Sequence, residues 1–140
     1  MITRDPSSDG QRLCFSVTSH DPLAYDLRDS VLEPAIHAAG LLVLRSDDIE
    51  HGDRLASTIW AAIERCAAMV ALVTAQSPHV YYELGIAGGL RVPTLVLVRE
   101  TLEMPINTEE LTVLPFAAAG PDLNTVAARL REMTSGKAVA

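Results

Sequence analysis

Glu83 is the residue of this chain whose type and setting best suit chemistry. It stands in the stretch Ser77-Pro78-His79-Val80-Tyr81-Tyr82-Glu83-Leu84-Gly85-Ile86-Ala87-Gly88-Gly89-Leu90, between the two most apolar runs, Met69 to Ala75 and Val92 to Val98. A turn signal and a helix-compatible segment between two apolar runs read as strand, loop, helix, strand, with Glu83 near the helix start at the rim where open α/β sheets bind ligands. There the helix dipole keeps a carboxylate ionised, as a nucleophile requires. The same placement also has a purely structural meaning, because an acidic side chain in the first turns complements the macrodipole by about 0.3–1 kcal/mol without any function. The residues alone leave both readings open.

Other reactive side chains make weaker constellations. Arg45-Ser46-Asp47-Asp48-Ile49-Glu50-His51-Gly52-Asp53 gathers four carboxylates with Arg45 and His51. Such a cluster could hold a metal, but carboxylates so close together in a loop more often face water and cap the next helix. The four histidines show no zinc-ligand spacing: His20, His51 and His79 fall in or beside loops, where they read as solvated, and His37 falls on a helix. No metal is expected. No glycine-rich phosphate loop occurs, and Thr74-Ala75-Gln76 lacks the aspartate that a phosphoacceptor domain of similar strand order needs. Cys14 and Cys66, both in apolar surroundings, read as small buried hydrophobes rather than a disulfide.

The elements that position these residues follow from the hydrophobic pattern. Leu13 to Ser19 is the first strand, with Leu13, Phe15 and Val17 alternating with small, mostly polar residues. Asp21-Pro22 opens a helix through Leu23, Leu27, Val31 and Ile36, which should kink or restart at Pro34 and end at Gly40. Leu41 to Leu44 is wholly apolar, the signature of a buried parallel strand. The second helix, about Asp53 to Ala67, carries the stripe Leu55, Ile59, Ile63 and Cys66, widened by Trp60 as core or interface. Met69 to Thr74 is strand three, Pro78 to Leu90 helix three, and Pro93 to Val98 strand four. Arg99 to Leu111 reads as a loop with room for one helical turn. Thr112 to Phe116 is a last strand, which Pro115 assigns to the sheet edge. Pro121-Asp122 opens a final helix with the stripe Leu123, Val126, Leu130 and Met133. Gly85, Ala87, Gly88 and Gly89 weaken helix three, so a close neighbour or a ligand should compensate.

Five strands alternating with helices imply an α/β, flavodoxin-like (Rossmannoid) doubly wound five-stranded parallel sheet of order 2-1-3-4-5. The chain of 140 residues, 49% hydrophobic and 21% charged, suits one domain over residues 12–134, with a flexible segment 1–11 and a tail 135–140. A formal charge of −7 without a basic cluster disfavours nucleic-acid partners, while a free nucleotide can still be held by backbone N–H groups. The apolar runs are too short for a membrane span and the polar N-terminus does not read as a signal peptide, so a cytoplasmic location is expected.

The pattern Pro78-His79-Val80-Tyr81-Tyr82-Glu83-Leu84-Gly85-Ile86-Ala87, followed by a Pro-led strand, resembles the helix signature of the nucleoside 2-deoxyribosyltransferase-like proteins and their bacterial TIR-like relatives. The segments Tyr25 to Pro34 and Arg45 to Asp48 and the stripe Leu55, Ile59 and Ile63 also look like parts of that family. The resemblance implies an N-glycosidic bond of a nucleoside, nucleotide or NAD as target and Glu83 as nucleophile, without a cofactor. It further implies contacts to substrate from Ser16, Ser19, His20, Asp47, Gln76, Ser77 and Tyr82. An oxocarbenium-like centre left by a departing base is stabilised by a nearby carboxylate, so the physical logic agrees.

Where relatives commonly carry aspartates, this chain has Ala67 and Leu72, which can transfer no proton. The remaining candidates for an acid are Asp21, Asp47, Asp48 and His20. The alternative is therefore a catalytically silent module of the same fold that binds a nucleotide or a protein partner. A homo-oligomer built on Trp60 and the glycine-rich helix is compatible with either reading.

Overall fold

The computed structural model describes residues 12–50, 56–106 and 111–135. Five parallel strands lie in the order β2-β1-β3-β4-β5: β1 Leu13–Thr18, β2 Leu42–Arg45, β3 Ala68–Val73, β4 Thr94–Arg99 and β5 Thr112–Phe116. This is the expected doubly wound α/β sheet. The helices are α1 Pro22–Leu27, α2 Glu33–Ala38, α3 Ser46–Glu50, α4 Ala56–Glu64, α5 Pro78–Gly89 and α6 Leu123–Thr134. None is long and apolar enough to cross a membrane.

The sheet separates two apolar layers. On one face Cys14, Val70, Leu72, Leu95 and Leu97 pack with α1, α2, the segment between them and α6, through Leu27, Leu32, Ile36, Val126 and Leu130. On the other, Phe15, Val17, Met69, Ala71 and Val96 pack with α4 and α5, through Ile59, Ile63, Val80 and Leu84. All six residues of β3 are buried, as a central strand covered on both faces demands. Cys14 and Cys66 are free and buried, and burial pushes both thiols up, Cys66 to about 12.

Several expectations are corrected by position in this sheet. The apolar run at Leu41 to Leu44 is not a buried strand, because β2 is the edge: Leu41 is buried, but Leu42 is 42% exposed and Val43 and Leu44 are only half-buried. At Pro34 the expected restart of the first helix takes a specific form. Arg28–Leu32 widens into a π-helical segment, in which the Glu33 N–H reaches the Arg28 carbonyl, and Pro34 then falls in the first turn of α2. The wider turn accommodates a ring that would clash with the carbonyl four residues earlier. Trp60 is 45% exposed and not in the core. Of the second helix, α4 covers Ala56–Glu64, and Asp53 and Leu55 lie outside the described residues, as do His51 and Gly52. The loop after β4 contains one hydrogen-bonded turn, the Leu102 N–H on the Arg99 carbonyl at 2.9 Å, and residues 107–110 lie outside the described residues.

Other expectations hold. Asp21 caps α1, accepting from the Ala24 N–H at 3.0 Å, with Pro22 in the first turn. Gly40 adopts φ +85° after α2. Pro115 lies on the edge strand β5, opposite Val98. Helix α5 closes with the Val92 N–H on the Ala87 carbonyl and the Arg91 N–H on the Gly88 carbonyl, a Schellman arrangement that puts Arg91 at φ 60°. Gly85, Gly88 and Gly89 have no neighbour within 4 Å of an added Cβ, so close packing within the described chain does not explain them.

Candidate functional site

In an open parallel sheet the ligand crevice lies at the carboxyl ends of the strands where the winding reverses, here between β1 and β3. β1 runs into Ser19 and His20, β3 into Thr74, and the neighbouring β2 into Ser46. Helix α5 starts beyond the end of β3. These four segments bring together most of the residues singled out from the sequence.

Glu83 is the sixth residue of α5 and is 2% exposed. It therefore lies beyond the first turn, where the macrodipole acts, and away from the surface, so dipole complementation does not account for it. A buried carboxylate is costly unless hydrogen bonds satisfy it. Ser46, 1% exposed, donates its Oγ hydrogen toward both carboxylate oxygens, at 2.9 Å from Oε1 and 3.2 Å from Oε2. The expected polar loop is in fact the short helix α3 directly after β2, and this is what brings Ser46 beneath α5.

A second network ties β1 to β3. Ser19 Oγ lies 2.9 Å from Thr74 Oγ1 and accepts from the Thr74 N–H at 3.0 Å, while Thr74 Oγ1 donates to Asp21 Oδ2. Burial alone would raise the Asp21 pKa. The bonds from Thr74, the Ala24 N–H, Ser19 and the Leu23 N–H outweigh it and hold the carboxyl below its ordinary range.

The histidines carry a third network. The His20 and His79 rings stack, with centroids 4.4 Å apart and planes 5° from parallel. His20 Nδ1 is 2.8 Å from the Tyr25 hydroxyl, His20 Nε2 is 4.0 Å from Asp47 Oδ1, and His79 Nε2 is 3.2 Å from the Thr18 carbonyl. Arg28 lies over the Tyr25 ring, 5.1 Å from its centroid. His79 thus belongs to the first turn of α5 and is partly buried, contrary to the expectation of a solvated loop histidine.

Ser16 is 3% exposed and its Oγ has no partner among the described residues. It borders a cavity of about 10 Å³ with Thr18, Arg28, Arg45 and Asp47, room for about one water. Arg45 is committed elsewhere, donating to the two Glu33 carboxylate oxygens at 2.6 and 2.8 Å, which raises its own pKa. Gln76 accepts from the Tyr81 hydroxyl at 2.7 Å and donates to the Glu103 carbonyl at 3.0 Å, fastening the loop after β4 to α5. Ser77 occupies the N-cap position of α5 but gives its hydroxyl to the Ala75 carbonyl. Tyr82 is 54% exposed where the adjacent Glu83 is buried, so these side chains leave α5 on different sides.

Glu83, Ser19, His20 and Asp47 are thus linked into one rim, while Tyr82 points to solvent. Ser46, Thr74, Tyr25 and His79 belong to that rim and were not read as site residues from the sequence. A groove of about 730 Å³, lined by Gly88, Arg91, Val92, Pro93, Thr94 and Thr112 among others, lies at the opposite, amino ends of β4 and β5. No group of three or more metal-ligating side chains occurs among the described residues. The sequence matches no protein-family profile and no curated protein.

Proposed function

We propose that the protein cleaves or transfers the N-glycosidic bond of a nucleoside, a nucleotide or NAD, with Glu83 as nucleophile, in the cytoplasm. The observation that carries this reading is the Glu83 carboxylate, kept 98% out of solvent at the carboxyl rim of the sheet and hydrogen-bonded by Ser46. A carboxyl group kept at that cost beside a ligand crevice is characteristic of sites where the group reacts. In the reaction one Glu83 oxygen bonds to the anomeric carbon as the carbon–nitrogen bond breaks and its electron pair leaves with the base. Water, or an acceptor base, then displaces the glutamate. Because Glu83 is covered, substrate has to displace side chains at the rim, and the Ser46 hydroxyl holds the carboxylate in place meanwhile.

One observation favours a second reading, a catalytically silent nucleotide- or protein-binding module. Leu72 is fully buried in β3, where relatives of the resembled family carry an acid, and the same burial of Glu83 suits a structural tie between α3 and α5. In either case the exposed Trp60 on α4 and Tyr82 on α5, two helices in contact, would supply surface for a homo-oligomer. Incubation with nucleosides, nucleotides and NAD, followed by chromatography for free base, separates the two: base release abolished by Glu83→Gln supports the enzyme, and the absence of release supports the silent module.

A further inference from the structure

Departure of most bases requires a proton, and the reading above supplies a nucleophile without an acid. Leu72 and Ala67 cannot provide one. The rim carries a better donor. The His20 side chain is 47% exposed, so it is reachable by a ligand, yet its ring is held on three sides. His79 stacks flat against it, Tyr25 binds Nδ1, and Asp47 stands 4.0 Å from Nε2, too far for a hydrogen bond. Nδ1 is therefore committed to Tyr25, while Nε2 faces the Asp47 carboxylate without a hydrogen bond and remains available for proton exchange.

Two links tie this ring to Glu83. His79, beneath it, lies four residues before Glu83 on α5, one turn along the same side of the helix. Asp47, beside it, follows Ser46, whose hydroxyl is on the Glu83 carboxylate. Nucleophile and imidazole are thus joined through neighbouring residues of α3 and of α5.

We propose that His20 is the general acid for the departing base, positioned by His79, Tyr25 and Asp47; this rests on the N-glycosidase reading of Glu83. As the carbon–nitrogen bond breaks, its electron pair goes to the base, and the His20 Nε2 proton passes to the base, leaving a neutral imidazole. Glu83 bonds to the anomeric carbon. In the second half, water attacks that carbon, its proton returns to His20, and the carbon–oxygen bond to Glu83 breaks, restoring carboxylate and imidazolium. The titratable and charged groups around the ring are Asp21 beside it in the chain, Tyr25 with Arg28 over its ring, Asp47 and His79.

Leaving groups that differ in their need for a proton test the assignment. AMP, dAMP and adenosine release a purine that must be protonated, whereas NAD and 4-nitrophenyl β-D-riboside release neutral nicotinamide and nitrophenolate without one. His20→Asn and His20→Gln are expected to lower kcat/KM on the purine substrates by about 100-fold or more, and on the activated substrates by less than about threefold. The fall in purine cleavage as pH rises is expected to vanish in both variants. Equal losses on the two classes would show a merely structural role and overturn the proposal, as would unchanged purine cleavage. If Glu83→Gln is inert but His20→Asn is not impaired, only the assignment of His20 fails. If wild-type protein cleaves neither class, the N-glycosidase reading fails and His20 with it.

Discussion

The Ser46 hydroxyl reaches both carboxylate oxygens of Glu83, at 2.9 and 3.2 Å, across an interior contact between residues 37 apart in the chain. This contact joins the end of the edge strand β2 to the helix after the central strand β3. It turns a carboxylate that would be costly inside the protein into one with a defined orientation.

Removing the hydroxyl should therefore be felt in stability. Ser46→Ala is expected to lower the unfolding free energy by about 1.5–3 kcal/mol, the range for a hydrogen bond to a charged group. Combined with Glu83→Gln, the losses should be less than additive, because both changes remove one interaction. Urea unfolding of the four proteins measures this; full additivity would mean that the contact is not energetically coupled.

Asp21 makes stability depend on acid. Its folded pKa lies below the ordinary carboxylate value, so its contribution is fully present above the unfolded value near 3.9 and is lost as pH falls through the folded value. Asp21→Ala removes both the cap on α1 and the acceptor for Thr74, at a cost of about 0.5–2 kcal/mol at neutral pH. The gap between wild type and variant, followed by thermal melting, should narrow below about pH 4. A gap that persists unchanged to pH 2 would contradict this account.

Gly85 faces open space on α5, and an added methyl group meets nothing within 4 Å. Gly85→Ala is expected to stabilise the protein by about 0.5–1 kcal/mol through helix propensity. The monomer–oligomer distribution, read by light scattering, should not change if this side of the helix is free. A loss of stability together with a shift toward monomer would instead identify a close helix contact in an assembly.

The sheet order, the Asp21 cap, the restart of the first helix at Pro34 and the edge position of β5 follow from local signals: strand–helix alternation, Asp-Pro, a proline inside a helical pattern, and a proline in a strand. The exposure of β2 does not, because an apolar run reads as buried until the strand order puts it at the edge. Glu83 was legible as a residue but not as a buried one, since its burial depends on α3, which forms where the carboxylates suggested a solvated loop. His79 and Tyr25 were missed for a similar reason. The role of His79 comes from stacking on His20 across the ends of β1 and α5, and that of Tyr25 from the way α1 folds back on His20, neither of which the residue pattern encodes.

The central claim is that Glu83 attacks an anomeric carbon. Purified wild-type protein and Glu83→Gln, incubated in parallel with AMP, dAMP, adenosine, deoxyadenosine and NAD, are compared for free base by chromatography. The account predicts base release from at least one substrate by wild type, reduced by on the order of 10³-fold or more in a variant with an unchanged circular dichroism spectrum. Base release by Glu83→Gln at the wild-type rate would contradict it.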